Sequence, residues 1–353
     1  MLGREKIKKI TFITNCLDIG GTEKQLLYLI KRIRKSYKIE IFSFLSGSLE
    51  TDYRKLGISV KCGTNKYLSI IELIFFLVSN KTDIYHFFLP KSYLIAGFLT
   101  FFSKKKKIMS RRSLNNYHRK YLFISLFLEK ILHKRMNVIL TNSASIKKQL
   151  VMEEGVPSKK INVIPNFLPK LNVYNRKKKI SKGVCVFGYV ANFIPYKNHL
   201  MFLDICSMIK TKKKWKLILI GTDVNGFRGI VKNKAKTLGL EKKIIFFDED
   251  KNIQKFYKKI DFAVSTSSEE GSSNFLLESI SLGLPIIAYD VGGNFEFFKN
   301  NGFLIPAFDK IMMKKAIENM LNMNTNVFKK NSIKICKTNF DNSKTLKKYF
   351  SFY

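Results

Sequence analysis

The chain has 353 residues, 46% of them hydrophobic, and sets 64 Lys and Arg against 26 Asp and Glu for a formal charge of +38. That length exceeds one ordinary core and predicts roughly two domains, and the apolar fraction is enough to bury both cores. The five cysteines, Cys16, Cys62, Cys185, Cys206 and Cys336, stand far apart without CxxC or CxxH spacing, which excludes a disulfide scaffold or thiolate metal site and fits a reducing cytoplasm.

The charge is mostly scattered lysine. It raises nucleic acid or an anionic membrane as partners, and a compositional bias towards lysine accounts for it as well. The N-terminus "MLGREKIKKITFITNC" runs from basic residues straight into a strand, so no secretion signal is expected. Short β-branched runs then alternate with helical patterns: "ITFIT", "GTEKQLLYLIKRI", "IEIFSF", "DIYHFF", "SYLIAGFLTFF", "KIMS", residues 117–134, "NVILT" and "SASIKKQLVMEE". Such alternation predicts βαβ units on a parallel sheet. The apolar stretches "YLSIIELIFFLV" and "SYLIAGFLTFF" fall short of the roughly 18 residues that cross a bilayer, and are expected as core helices.

Two prolines and a charge run make residues 167–182 the expected linker. Alternation restarts at "VCVFGYV" and continues through "WKLILIG", "KIIFF", "DFAVSTS" and "PIIAY". The expected fold is therefore α/β, with two doubly wound halves facing each other across a cleft and ligands bound outside the carboxyl ends of the strands.

The loops after these strands carry the candidate chemistry. Gly20 and Gly21 in "NCLDIGGTEKQLL" let backbone approach a ligand at a helix N-terminus, although a plain strand-to-helix turn has the same appearance. Lys197 in "GYVANFIPYKNH" is held just before a helix, where an ammonium can neutralise a diphosphate; His199 reads as a helix-start residue. In "EEGSSNFLLESISLG", Ser273 caps a helix whose first-turn N–H groups, with the Gly271 turn, form a pocket of positive partial charge. Glu270 lies at the mouth of that pocket. Glu278 lies in the second helical turn, and both carboxylates suit paired hydroxyls. "DVGGNFEFF" adds Gly292, Gly293 and Glu296 on another strand-to-helix turn.

Taken in order, GGxE, "VIPN", PxKN, the run from Ser265 through "EGSSNFLLESISLGLPII", "DVGGNFE" and "NGFLIP" resemble the retaining glycosyltransferases of family 4, which have the GT-B fold of two Rossmann-like domains. The resemblance covers nearly the whole chain. It implies an acceptor-binding domain at 1–170, joined by a returning C-terminal helix at 340–353, and a donor-binding domain at 171–339. It also implies transfer of a sugar from a nucleotide-diphosphate sugar, expected to be a UDP-sugar, to a glycan or polyprenyl-linked acceptor in bacterial cell-surface polysaccharide, lipopolysaccharide or capsule synthesis. Glu278 is similar to the glutamate that holds the ribose, Glu270 to the one that contacts the sugar, and Lys197 to the diphosphate lysine. Gly20 and Gly21 resemble the loop over that diphosphate, and Ser272, Ser273, Asn274 and Phe275 complete its site. No metal and no cofactor are expected, and "DED" at 248–250 is read as a surface loop. Two positions depart from the pattern: Asn192 stands where many members carry Arg, and Phe167 where glycine is usual. On the acceptor side the candidates are His86, as an acid–base group, and Arg111 and Arg112 in "SRRSLNNY".

Residues 117–135 combine an apolar face with His118, Arg119, Lys120, Lys130, His133, Lys134 and Arg135, a pattern that suits a peripheral helix on the inner face of an anionic membrane and also an ordinary buried helix. No nucleic-acid motif accompanies the basic residues, so nucleic acid is not an expected partner. A non-catalytic nucleotide-sugar-binding relative would keep the same donor residues.

Overall fold

The computed structural model describes residues 7–65, 67–115, 122–169, 183–248 and 253–353. The chain forms two compact units, Met1–Phe167 with Asn342–Tyr353, and Leu168–Asp341.

In the first unit, strands β1 (Lys9–Thr14), β2 (Lys38–Ser43), β3 (Ser59–Cys62), β4 (Ile84–Phe88), β5 (Lys106–Arg111), β6 (Val138–Thr141) and β7 (Ile161–Val163) alternate with helices. These are α1 (Gly21–Ile33), α2 (Glu50–Lys55), α3 (Leu68–Ser79), α4 (Pro90–Leu99), α5 (Leu122–Arg135) and α6 (Ala144–Met152). The strands pair in parallel in the order β3-β2-β1-β4-β5-β6-β7.

The second unit runs β8 (Val184–Val190), α7 (His199–Ser207), β9 (Lys214–Ile220), α8 (Phe227–Thr237), β10 (Ile244–Phe247), α9 (Gln254–Tyr257), β11 (Phe262–Ser265), α10 (Asn274–Ser281), β12 (Ile286–Tyr289), β13 (Gly302–Ile305), α11 (Lys310–Asn322) and α12 (Asn326–Asn339). Its parallel sheet has the order β10-β9-β8-β11-β12-β13.

Helices cover the faces of such sheets, so their strands read as unbroken apolar runs, and every residue of β11 and of β12 is buried. In each sheet the order reverses beside the first strand, at β1/β4 and at β8/β11, and the loops leaving those pairs diverge into a crevice. The expected α/β architecture is present in both units.

The last helix, α13 (Asn342–Phe350), belongs to the first unit, where Tyr349 and Tyr353 join Leu26, Ile30 and Phe12 in one apolar cluster. Lys8 Nζ donates to the Tyr353 carbonyl at 2.8 Å. Phe167, the unusual residue of "VIPNF", is buried against this helix, stacked on Tyr349 with ring centroids 5.6 Å apart and under the Arg32 guanidinium at 4.5 Å. Gln25 of α1 exchanges two hydrogen bonds with the Phe167 backbone, at 3.0 and 2.7 Å. A side chain at that position thus fastens α1 to α13.

One expectation fails here. "YLSIIELIFFLV" is not a core helix: α3 buries Ser69, Leu73 and Phe76, packs Leu77 at the edge of the core, and leaves Leu68, Ile70, Ile71, Ile74, Phe75 and Val78 exposed. In α5, Glu129, Leu132 and His133 are buried whereas Ile124 and Phe127 are exposed, so His133 is no part of a basic rim. His118, Arg119 and Lys120 lie outside the described residues, as does most of the expected linker. Among the described residues no helix is long and apolar enough to cross a membrane.

Candidate active site

The second sheet reverses at β8/β11, and the loops leaving those strands are joined to each other. After β8 the chain closes a 3-10 turn, Pro195–Lys197, and Asn198 then adopts the left-handed conformation (φ 56°) from which α7 starts. After β11, Thr266 Oγ1 donates to the Lys197 carbonyl at 3.3 Å and Ser268 N to the Tyr196 carbonyl at 2.8 Å.

This brings Lys197 Nζ to 2.7 Å from Glu270 Oε1, with the two side chains 16% and 12% exposed. The same oxygen accepts from Ser267 Oγ at 2.8 Å, and Ser267 Oγ lies 2.6 Å from the buried Tyr189 hydroxyl. Burial works against the Lys197 charge, but Glu270, with Tyr189 and Tyr196, outweighs it and raises the ammonium pKa. His199 is sandwiched between the rings of Tyr189 and Phe193 at 5.2 and 4.7 Å, and burial, then the Lys197 charge, push its pKa down to about 3. A neutral imidazole and a charged lysine thus stand side by side.

Beyond Glu270 the loop passes through Gly271 and Ser272, both buried, to Ser273, whose Oγ accepts from Leu276 N at 3.4 Å and caps α10. Phe275, Leu276, Leu277, Ser279 and Ile280 are buried. Within the first two turns, Asn274 and Glu278 alone are half-exposed, and a spacing of four places them on one face. Tyr257 OH donates to Glu278 Oε2 at 2.7 Å and holds that carboxylate in place. The capped N-terminus of α10, with partial positive charge on its first-turn N–H groups, therefore lies between an ion-paired glutamate and an oriented one.

Gly292 locks the arrangement from the β12 side. It takes φ 55°, and a Cβ there would fall 1.6 Å from the Glu270 carbonyl oxygen, so only glycine lets this loop lie on the Glu270 backbone. The turn that follows, Asn294–Phe297, is 3-10 rather than the expected helix. Asn192, at the end of β8, accepts from Thr222 N at 3.4 Å. Arg228 of α8 reaches the neighbouring Phe193 ring at 4.9 Å and pairs with Asp248. That pair places a cation beside the Asn192 loop and gives Asp248 a structural partner.

The first-unit candidates fare differently. Gly20 is the residue preceding the first turn of α1, and a Cβ on it would meet Glu23 Oε2 at 2.1 Å. Glu23 folds back over the start of its own helix, its carboxyl pKa raised by burial. His86 is corrected outright. It is fully buried, with Nδ1 2.8 Å from Tyr353 OH and Nε2 2.8 Å from Ser110 Oγ, and burial together with Arg112 holds its pKa well below the usual value. A ring with both nitrogens engaged inside the core offers no proton to an acceptor.

Arg111 is likewise no acceptor-side group. It is buried, and its Nη2 donates to Glu129 Oε2 and Glu154 Oε2, each at 2.7 Å. His133 joins Glu154 at 2.8 Å and Tyr93 OH at 2.8 Å. Glu129, His133 and Glu154 are close enough to hold a metal ion, but the Arg111 guanidinium already bonds to both carboxylates, so the cluster reads as an ion-pair network. Arg112 is half-buried and donates to Asn166 Oδ1 at 2.6 Å and Tyr349 OH at 3.4 Å.

Sequence reasoning missed Tyr189, Ser267, Tyr257 and Arg228. Tyr257 reaches Glu278 from 21 residues away and Tyr189 meets Ser267 from 78 away, contacts that no local pattern shows, whereas the hydroxyl-rich "STSS" before Glu270 was the available signal for Ser267.

Residues 19–169 match the model of the family described as Glycosyltransferase Family 4, and residues 172–335 that described as Glycosyl transferases group 1. Over 342 residues the chain is 22% identical to the Campylobacter jejuni N-acetylgalactosamine-N,N'-diacetylbacillosaminyl-diphospho-undecaprenol 4-alpha-N-acetylgalactosaminyltransferase, covering 89% of this chain and 90% of that one. It is 21% identical over 328 residues to the Staphylococcus aureus capsular polysaccharide biosynthesis glycosyltransferase CapH, covering 88% and 90%. The solved structure of Anabaena Alr3699/HepE in complex with UDP and glucose superposes with a TM-score of 0.83 at 18% identity over 98% of both chains, a likeness of fold.

Proposed function

The chain belongs to the family 4 glycosyltransferases of GT-B fold, and from that premise we propose that it is a retaining enzyme that takes a sugar from a UDP-sugar to a lipid-linked or glycan acceptor in bacterial surface-polysaccharide assembly. The observation that carries this reading is the Lys197–Glu270 pair at 2.7 Å beside the capped start of α10. Lys197 and the first-turn N–H groups of α10 offset the charge that develops on the departing diphosphate, the role a bound cation has elsewhere. Glu278, oriented by Tyr257, accepts from the ribose hydroxyls, and Glu270, oriented by Ser267, accepts from the sugar. The bond from the anomeric carbon to phosphate oxygen breaks, the acceptor oxygen bonds on the same face, and its proton passes to the departing phosphate. No histidine is needed for that step, consistent with the engaged ring of His86.

The UDP of the Anabaena complex and the diphospho-undecaprenol of the Campylobacter relative's name support the donor and acceptor classes. The test is a thermal-shift panel of UDP, GDP, ADP and CMP in EDTA. UDP is expected to raise the melting temperature without a divalent ion. No shift with any nucleotide, or one that needs the ion, overturns the donor site. Retention is read from the product: an α-linked UDP-sugar must yield an α-glycoside by NMR coupling, and a β-glycoside refutes it.

A further inference from the structure

The outward face of α3 is apolar where a surface helix is normally polar. Ile70, Ile71, Ile74, Phe75 and Val78 are exposed, Phe75 by 67% and Val78 by 83%, while Ser69, Leu73 and Phe76 hold the helix to the sheet. At 3.6 residues per turn those five form one continuous arc opposite the buried stripe. Glu72 is the helix's one charged residue, and its carboxylate is taken by Thr64 N and Oγ1, each at 3.0 Å. Phe102, 89% exposed, follows the neighbouring α4. The apolar area, on the order of 600 Å², matches the largest patch of a typical monomer, which is often functional.

Exposed basic residues flank these apolar segments in sequence. Lys61 precedes α3, Lys81 follows it by two residues, and Lys104 and Lys105 follow Phe102 after one serine, all exposed. We propose that α3 is a membrane-docking helix that lies in the surface of an anionic bilayer, its apolar arc among the acyl chains and the lysines on the headgroups. Twelve residues cannot span a bilayer, so the helix lies flat. A second copy is the poorer occupant, because pairing two such faces brings two lysine rims and two chains of +38 together, whereas anionic lipid complements both features. This surface is not the segment 117–135 expected from sequence, and the inference does not rest on the donor reading.

Flotation of the full chain with phosphatidylglycerol/phosphatidylethanolamine vesicles tests it. The wild type is expected to float with them, to retain part of that binding at about 0.5 M salt, where surface charge is screened, and to ignore phosphatidylcholine vesicles. Phe75→Glu with Val78→Glu is expected to cut partitioning about tenfold or more with little change in melting temperature, since both residues are exposed. As a second readout, the single native tryptophan, Trp215, is buried in the other unit, so a Phe75→Trp indole reports locally by a blue shift when vesicles are added. Three results overturn the proposal: no flotation at low salt, equal flotation of the double variant (adsorption through lysine alone), or a wild-type dimer that the double variant dissolves in sedimentation.

Discussion

Replacing Lys197 by Met keeps the length of the side chain and removes the ammonium. Glu270 then retains the Ser267 hydroxyl but loses its counter-ion where its side chain is 12% exposed. A fully exposed pair contributes about 0–1 kcal/mol, and breaking a fully buried one costs about 3–5 kcal/mol, so this partly desolvated pair should lose about 2 kcal/mol. Glu270→Gln, which leaves the ammonium behind, should cost a similar amount. The double variant leaves no unpaired charge, and its cost should stay near about 2 kcal/mol rather than reach the sum, a coupling of the size seen for residues in contact. Urea unfolding followed by Trp215 fluorescence reports the second unit, whose core holds that indole. Costs that simply add would show that the two groups do not support each other. The same Lys197→Met protein should bind UDP about tenfold to a hundredfold more weakly, the loss of one charged hydrogen bond, and unchanged affinity would remove Lys197 from the donor site.

Glu278→Gln should weaken UDP binding by about 1.5–3 kcal/mol by calorimetry, and Tyr257→Phe, which only frees the carboxylate, by less; the opposite order would refute the orienting role. Gly292→Ala must accommodate a left-handed alanine and a contact with the Glu270 carbonyl, about 2–4 kcal/mol together. Stability and turnover should fall together, whereas Gly293→Ala, at φ −89°, carries no such strain. His199, depressed to about 3 from 6.5, stabilises the fold fully above pH 6.5 and loses that contribution as pH falls towards 3. His199→Leu should therefore remove about 1.4 kcal/mol per pH unit from the acid-side slope of urea stability, and an unaltered slope would contradict the burial. Phe167→Ala should cost about 3–5 kcal/mol in the first unit, read by the melting of that unit, because the Tyr349 and Arg32 contacts go together; a loss under about 1 kcal/mol would deny Phe167 its place between α1 and α13.

What was readable in the sequence, and what was not, follows from the range over which each signal acts. Strands of a doubly covered parallel sheet are apolar throughout, and their carboxyl-end loops concentrate Gly, Ser and Asn, so Lys197, Glu270 and Glu278 could be marked from neighbours within a few residues. Their pairing could not, since Lys197 and Glu270 are 73 residues apart. His86 failed for the same reason: its partners Ser110 and Tyr353 are 24 and 267 residues away, and the second arrives only with α13. Arg111 reads as an exposed cation until Glu129 and Glu154 close on it. Helix α3 shows a different limit. An apolar run says that water should be excluded and leaves open what excludes it, and here the sheet covers only one stripe. Once that face is known to be bare, the charge of +38 acquires a second physical consequence under the docking proposal: a field of one sign opposes the pairing of two copies and favours an anionic surface. Composition alone could not connect the two features, because lysine scattered along the chain says nothing about which apolar surface it will surround.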